Sequence, residues 1–329
     1  MNGKVETSDH WSRQKEQASG YWHLKLLLIL FRLFPVIILR IIAFQVGFFY
    51  FLFSKKGRTE SRRFLTRAAP FIDNADKAKK CRSPLGPLRH IVSFSLNLVE
   101  KIETWGGKYP FKKIHFQDDN IGELIERLEN GKGAFLITSH LGNAELLRGL
   151  VSFDKTGVSR KVPVTAVIDM KVSKHFSRML KELNLQSSLD IMGADEIGIH
   201  TAAIMEEKLT AGEIVTIAGD RTSVNDAKKS LMIPFFGKEA PFSPGIFYLA
   251  ALLNVPVYFI FALRRGGLSL KSEYNMHVHK SDLSYANTKK ERLMRASELA
   301  RSFVMLLESY CKQEPFQWYN FFDFWYKEV

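Results

Sequence analysis

Cysteine is nearly absent from this chain of 329 residues, which carries only Cys81 and Cys311. Two cysteines supply neither a disulfide framework nor a cysteine zinc site, and their scarcity fits a reducing compartment. The sequence also lacks GxGxxG, Walker and CxxC motifs, which excludes the usual patterns for nucleotides, kinases and zinc. His277 and His279 share one face of an alternating strand, but no third ligand has a suitable spacing. We therefore expect no cofactor and no metal ion, and we interpret both cysteines as helix packing.

Acidic residues are in deficit. The chain has 34 Asp and Glu against 47 Lys and Arg, which gives a net charge of +13. Such an excess indicates an acidic partner: a phospholipid surface, a phosphorylated substrate, an acidic carrier protein or nucleic acid. Because the basic residues are not interleaved with aromatic residues on one platform, we expect no nucleic acid partner.

No uncharged run is long enough to cross a membrane. The longest, Ile41–Ser54, has 14 residues, whereas a spanning helix needs about 20. The wider apolar stretch contains Arg32 and Arg40, and Pro35 should break a helix between them. This pattern predicts two membrane-contacting helices, one of them lying in the interface with arginines that extend towards water. A single tilted span and a pair of core helices are the alternatives.

A basic segment follows the apolar stretch directly, and it consists of Lys55, Lys56, Arg58, Arg62 and Arg63. If the apolar helix spans the membrane, this basic flank places the rest of the chain on the cytoplasmic side. We therefore predict a membrane-associated element at residues 1–58, which opens with a polar segment over residues 1–20. One α/β domain should follow at residues 59–329.

Residues 59–130 are predicted to be mostly helical, and strand and helix patterns alternate after them. The predicted strands are Ala134–Thr138, Val162–Ile168, Ser188–Met192, Glu213–Ala218, Val255–Leu263 and Leu268–His279, with a tight hairpin turn at Arg265-Gly266-Gly267. The predicted helices are Ser173–Leu183, Ile197–Ala211, Pro244–Leu253 and Thr288–Cys311. This alternation predicts an α/β fold, with a mostly parallel central sheet and helices on both faces.

The most informative segment follows the strand Ala134–Thr138. His140 lies at the carboxyl end of this strand, the edge where open α/β sheets bind ligands. A helix should begin next, with Asn143 as its N-cap. Glu145 is then close enough to hold one imidazole nitrogen, which leaves the other free to deprotonate a hydroxyl or an amine. The alternative is a surface histidine before a helix whose dipole favours the glutamate.

Other polar residues should lie at ends of strands. Asp220 and Arg221 follow a predicted strand, and Arg221 could bind phosphate or stabilise an oxyanion; the alternative is a surface ion pair. Phe236 and Gly237 belong to a turn-rich loop before a helix whose N-terminus could collect an anion; the alternative is a packed loop. Arg264 ends a strand and could contact phosphate, unless it lies in an exposed turn.

Taken together, these blocks resemble the lysophospholipid acyltransferase superfamily. The matching blocks are His140-x4-Glu145, Gly219-Asp220-Arg221, Pro234-Phe235-Phe236-Gly237 and Val255-Pro256-Val257. Within it the chain is similar to the lipid A late-acyltransferase branch of lauroyl and myristoyl transferases. The aromatic ending Pro315–Trp325 departs from the basic tail typical of that branch. It is similar to a predicted subgroup found beside aryl polyene, flexirubin-type pigment and fatty acyl genes, and we interpret its aromatic residues as a groove wall or interface anchors rather than core.

The resemblance implies acyl transfer, without an acyl-enzyme, from acyl carrier protein or acyl-CoA to a hydroxyl or amine of a lipid or glycolipid. His140 would be the base, and Glu145 would hold the imidazole and stabilise its cation. Backbone N–H groups near Gly142 and Asn143, or the side chain of Arg221, would stabilise the oxyanion. It also implies the bacterial inner membrane, with the catalytic domain facing the cytoplasm. A non-catalytic membrane adaptor or lipid-binding protein on the same fold is the alternative.

Overall fold

The computed structural model describes residues 29–31, 33–117, 120–147, 158–168, 189–193, 199–221, 230–283 and 286–325. The predicted helix Ser173–Leu183 and the polar opening segment, residues 1–20, lie outside them. The helices are α1 (Val36–Phe53), α2 (Lys55–Ala68), α3 (Ala75–Arg82), α4 (Gly86–Trp105), α5 (Asn120–Glu129), α6 (Ile199–Thr210), α7 (Pro244–Leu253) and α8 (Lys289–Gln313). The strands are β1 (Ile114–Phe116), β2 (Ala134–Thr138), β3 (Val164–Ile168), β4 (Leu189–Gly193), β5 (Ile214–Ala218), β6 (Leu231–Phe235), β7 (Lys238–Phe242), β8 (Val257–Arg265) and β9 (Glu273–Lys280).

Seven strands form one sheet in the order β1-β9-β8-β2-β5-β3-β4. Its neighbouring strands run parallel except β8 and β9, which are antiparallel. All five residues of β2 are buried, as expected for a parallel strand with both faces covered. The prediction of an α/β fold with a mostly parallel central sheet is confirmed.

Apolar side chains of β2 alternate between two cores. Phe135 points into a cluster that also contains Phe303 of α8, whereas Leu136 points into a cluster that contains Leu124 and Leu128 of α5. Neighbouring residues of a strand face opposite sides of the sheet, so these helices cover opposite faces. The strand ends of β2 and β5 are therefore held between two packed layers.

Helix α1 is the apolar helix expected near the N-terminus. It begins directly after Pro35, where the sequence predicted a break. Its 18 residues have a mean hydropathy of 2.2, and 22% of them are buried, so its length and composition suffice to cross a membrane. The buried stripe packs on α4 through small residues: a Cβ on Gly47 would lie 2.7 Å from Ser95 Oγ.

Arg40 corrects one expectation for this helix. Its side chain does not extend towards water but is 5% exposed, and its Nη2 lies 2.5 Å from Glu103 Oε2. Nη1 donates to the carbonyl of Leu270 at 2.7 Å. The predicted division at residue 58 falls within α2, and the two-part organisation stays a prediction.

Two turns differ from the sequence analysis. The segment predicted as an apolar loop is the antiparallel hairpin β6–β7. The connection between β8 and β9 spans residues 266–272 and is longer than the predicted tight turn. Arg264 explains why the connection between β8 and β9 is longer, because its Nη atoms donate to the carbonyls of Gly267 and Ser269. The interpretation of both cysteines is confirmed, since Cys81 and Cys311 are buried and free.

The aromatic C-terminal segment belongs to the core. Trp318 is 0%, Phe324 3% and Trp325 6% exposed. Trp318 contacts the ring of Phe235 in the β6–β7 hairpin at a centroid distance of 5.2 Å. The interpretation of these residues as interface anchors or a groove wall was wrong, because their rings fill the space between α2, the hairpin and the sheet.

Candidate active site

Two adjacent parallel strands bring His140 and Asp220 together. Thr138 and Ala218, the last residues of β2 and β5, are register partners, and each of the two polar residues lies two positions further on. Equal offsets from paired strand ends place the two side chains at the same point of the sheet edge. His140 Nδ1 lies 2.7 Å from Asp220 Oδ1, and the His140 amide donates to Asp220 Oδ2 at 2.8 Å.

The carboxylate of Asp220 is fully buried and receives several hydrogen bonds. Trp318 Nε1 donates to Oδ2 at 2.9 Å and Asn320 Nδ2 at 3.3 Å. Burial alone would raise the pKa of Asp220, but His140 and Arg221 outweigh it and lower this pKa to about 2. Asp220 is therefore ionised at neutral pH, and its side chain accepts the Nδ1 proton of His140.

The imidazole of His140 is set up to accept a proton. Its side chain is 27% exposed, and Nδ1 is engaged by Asp220, so Nε2 carries the lone pair. Burial lowers the pKa of His140 below its usual value, and the charge of Arg221 lowers it further against the opposing effect of Asp220. His140 is consequently neutral at neutral pH, the state that a general base requires.

Glu145 does not make the predicted contact. Nδ1 of His140 is held by Asp220, and the Glu145 carboxylate instead accepts a hydrogen bond from Trp105 Nε1 at 3.1 Å. The predicted N-cap is confirmed, because Asn143 Oδ1 accepts from the Glu145 amide at 3.2 Å. Glu145 is thereby fixed in the first turn of its helix, buried against the end of α4.

The backbone amides proposed for the oxyanion are already occupied. The Gly142 amide donates to the carbonyl of Gln317 and the Asn143 amide to that of Ala262, both at 2.9 Å. Gly142 has a φ of +67°, and a Cβ there would lie 1.9 Å from Ala262 O, so glycine is required for this close approach. The expectation that these amides stabilise an oxyanion is corrected, because they hold the turn instead.

Arg221 remains beside the pair. Its Nε donates to Asn320 Oδ1 at 3.3 Å, and its charge contributes to the lowered pKa of both His140 and Asp220. A guanidinium next to the imidazole is placed to stabilise negative charge that develops during a reaction. The two residues that the sequence placed at the end of β5 are therefore both at the site.

Arg264 is not available to phosphate. Its side chain is 1% exposed, and its Nε lies 2.9 Å from Glu100 Oε1 in a fully buried ion pair. Tyr274 donates to the same carboxylate, and Gln317 binds the Arg264 amide and carbonyl at 2.7 and 2.8 Å. The prediction of a phosphate contact is corrected, since this arginine fixes the β8–β9 connection and the C-terminal segment.

Phe236 and Gly237 form the two-residue turn of the β6–β7 hairpin. Both have positive φ, +50° and +71°, as a type I′ turn requires. The Phe236 amide donates to Glu308 Oε2 at 2.7 Å, and its ring packs on Phe64, which also contacts Trp318. The alternative of a packed loop therefore describes these residues. They are connected to the site of His140 through the side chains of Phe64 and Trp318.

Sequence reasoning missed the roles of three residues. Trp318 and Asn320 hold Asp220, and Trp105 holds Glu145. The sequence contained an indication of the roles of Trp318 and Asn320, because these two residues interrupt a C-terminal run rich in phenylalanine. In the described part of the chain, no group of three or more His, Cys, Asp or Glu side chains could hold a metal ion.

Comparison with known proteins identifies the family of the chain. The family described as bacterial lipid A biosynthesis acyltransferase has a model that matches residues 7–327. No match was found among the curated proteins. The family match covers nearly the whole chain, including β2, β5 and the C-terminal segment that together build the site.

Proposed function

The chain belongs to the bacterial lipid A biosynthesis acyltransferase family, and on that premise we propose that it moves a fatty acyl group from a thioester to a lipid, with His140 as general base. Membership makes the chain an acyltransferase that acts on lipid. The contact between His140 Nδ1 and Asp220 Oδ1, 2.7 Å long, is the observation that carries the assignment of the base. The donor is acyl carrier protein or acyl-CoA, and the acceptor is a hydroxyl or amine of a lipid or glycolipid.

In the proposed reaction, Nε2 of His140 takes the proton of the acceptor as its oxygen or nitrogen attacks the thioester carbonyl. The new bond forms and the carbonyl oxygen becomes an oxyanion beside Arg221. Asp220 stabilises the imidazolium through Nδ1, as the acidic member of a catalytic triad does. The carbon–sulfur bond then breaks, and the imidazolium returns its proton to the leaving thiolate.

Glu145 has a different role in this proposal from the one predicted from the sequence. It does not hold the reacting imidazole; it fixes the first helical turn after His140 through Trp105 and the Asn143 cap. We therefore treat Glu145 as a positioning residue. Removal of the Glu145 carboxylate should disturb the start of the helix more than it changes the protonation of His140.

The membrane part of the proposal rests on α1. Among its exposed side chains are Val46, Phe49 and Phe53, which are 58%, 54% and 82% exposed. Apolar exposure of this size marks a surface that contacts lipid. We propose that the protein lies at the bacterial inner membrane with its catalytic domain facing the cytoplasm, where acyl carrier protein and acyl-CoA are found.

The test is an assay of the purified, detergent-solubilised protein with radiolabelled acyl–acyl carrier protein and a total lipid extract, beside His140→Ala. We expect a new labelled lipid from the parent protein and none from the variant. A parallel assay with acyl-CoA identifies the donor. Equal product from both proteins would contradict the role of His140, and no product with either donor would contradict the proposed donors.

A further inference from the structure

We propose that a groove beside helix α2 binds the phosphate of a phospholipid headgroup. The groove has a volume of about 600 Å³, and Arg62, Arg63 and Arg67 line it. We call it the α2 groove. It is separate from the space at Nε2 of His140, because Phe64 and Trp318 lie between α2 and Asp220.

Two of the three arginines have no counter-charge among the residues that the structure describes. Arg63 is paired with Glu60 at 2.8 Å and with Asp323 at 2.9 Å. Within the described ranges, Arg62 and Arg67 have no carboxylate within 4.0 Å. Among the described residues, no carboxylate therefore neutralises the positive charge of Arg62 and Arg67 in the α2 groove.

Arg67 is held in place by an aromatic ring of the C-terminal segment. Its guanidinium lies over the ring of Trp325, 4.7 Å from the centroid. Its Nε is buried and has no hydrogen-bond partner within the described residues. A guanidinium presents paired donors that match the oxygens of phosphate.

The rest of the lining favours an amphiphile over a bare anion. Thr59 and Thr66 contribute hydroxyl groups, whereas Phe71 and Phe236 contribute apolar surface. Hydroxyl and guanidinium donors suit the oxygens of a phosphodiester. The aromatic surface beside them suits the glycerol and the first methylenes of an acyl chain.

The position of α2 indicates a lipid as the source of the phosphate. Helix α2 begins one residue after α1 ends, and Ser54 between them caps α2 by accepting from the Gly57 amide at 3.1 Å. Arg58 fixes this corner by donating to the carbonyls of Phe51 and Leu52. If α1 contacts the membrane as proposed above, on which this inference rests, α2 lies at the depth of the headgroups, where basic residues attract phospholipids.

Calorimetry on the full chain in neutral detergent tests the inference, with dihexanoyl phosphatidylglycerol as the probe. The variant R62Q/R67Q should weaken binding by about tenfold or more, because two charge-assisted contacts are lost. The control R82Q/R301Q removes two exposed arginines outside the groove and should stay within about twofold. Both variants should retain the parent's unfolding temperature in detergent.

Three results would overturn the inference: equal weakening by both variants, no weakening by R62Q/R67Q, or tighter binding of free phosphopantetheine than of the short-chain lipid. The last result would identify the donor's phosphate as the ligand instead of a headgroup. Binding is measured without turnover. A negative result in the binding experiment therefore does not contradict acyl transfer by His140. A negative result in the transfer assay likewise leaves the lipid-binding result interpretable.

Discussion

At the scale of single residues, the tautomer of His140 depends on which carboxylate faces its Nδ1. Two acidic residues lie near the histidine in different surroundings. Asp220 is fully buried and accepts from three side chains and one amide, while Glu145 is engaged by Trp105. Only Asp220 is placed to select the tautomer that leaves the lone pair on Nε2.

The pH dependence of turnover follows from this arrangement. The base must be neutral, so activity is present above the pKa of His140 and is lost as the pH falls through it. Because burial and Arg221 lower that pKa, the acidic limb of kcat/KM should lie below 6.5, the ordinary histidine value. In Asp220→Asn the limb should move to lower pH still, since the carboxylate that raises the pKa is gone. A limb centred above 6.5, or an upward move in the variant, would contradict the assignment.

At the scale of elements, the C-terminal segment lies across the turn that carries His140 and is hydrogen-bonded to it. The Tyr319 amide donates to the carbonyl of His140 at 3.0 Å, and the carbonyl of Gln317 accepts from Gly142 at 2.9 Å. Trp318, between them, reaches Asp220. Residues from two distant parts of the chain thus fix one geometry.

Trp318→Phe tests whether the C-terminal segment positions the carboxylate of Asp220. The substitution keeps an aromatic ring in the core but removes the N–H that binds Asp220. We expect kcat to fall about tenfold, the cost of one hydrogen bond to a charged group, with little change in KM. The acidic limb of the pH profile should also shift, which a purely structural defect would not produce. Trp325→Phe, which loses a bond to the carbonyl of Phe235, is the matched control and should leave the pH profile unchanged.

The buried pair between Arg40 and Glu103 fixes α1 on α4. Their side chains are 5% and 8% exposed, and removal of one partner from a buried pair costs roughly 3–5 kcal/mol. Arg40→Met should therefore lower the free energy of unfolding by that amount in detergent. The double variant Arg40→Met/Glu103→Leu should recover most of the loss, because no uncompensated charge remains. Arg265→Met, at a half-exposed pair, serves as the control, and an equal effect there would refute the proposed anchor.

At the scale of the whole molecule, α1 should hold the protein on lipid. Phe49→Glu/Phe53→Glu removes two exposed apolar side chains from α1 and should reduce binding to lipid vesicles by about tenfold or more. The control Leu293→Glu/Met305→Glu changes two exposed apolar residues of α8, which are 51% and 68% exposed. Vesicle flotation measures the binding of both double variants to lipid vesicles. The proposed membrane surface is wrong if the control reduces binding as strongly.

Much of the fold could be predicted from local patterns. The apolar runs that became β2, β5 and β8 end in polar residues, and this was sufficient to place His140 and Asp220 at one edge. The order of strands was not readable, because it is set by long-range pairing. The sequence therefore indicated the nearby Glu145 as the partner of His140, although the register of β2 on β5 supplies Asp220 from 80 positions away.

The return of the C-terminal segment was also beyond local reasoning. Its aromatic residues suit a membrane interface, a groove or a core, since all three environments favour large apolar rings. Only the packed structure shows Trp318 Nε1 against Asp220. Arg264 was misjudged for a related reason, because its partner Glu100 lies on α4, far away in the sequence.

The pairing of His140 with Asp220 is tested by comparing Asp220→Asn with Glu145→Gln in single-turnover acyl transfer from acyl–acyl carrier protein. We predict a loss of about 10²–10⁴-fold for Asp220→Asn, the range expected when a general base loses its orienting acid. Glu145→Gln should lose about tenfold at most, since one bond from Trp105 can be kept by an amide oxygen. A larger loss for Glu145→Gln than for Asp220→Asn would contradict the pairing of His140 with Asp220.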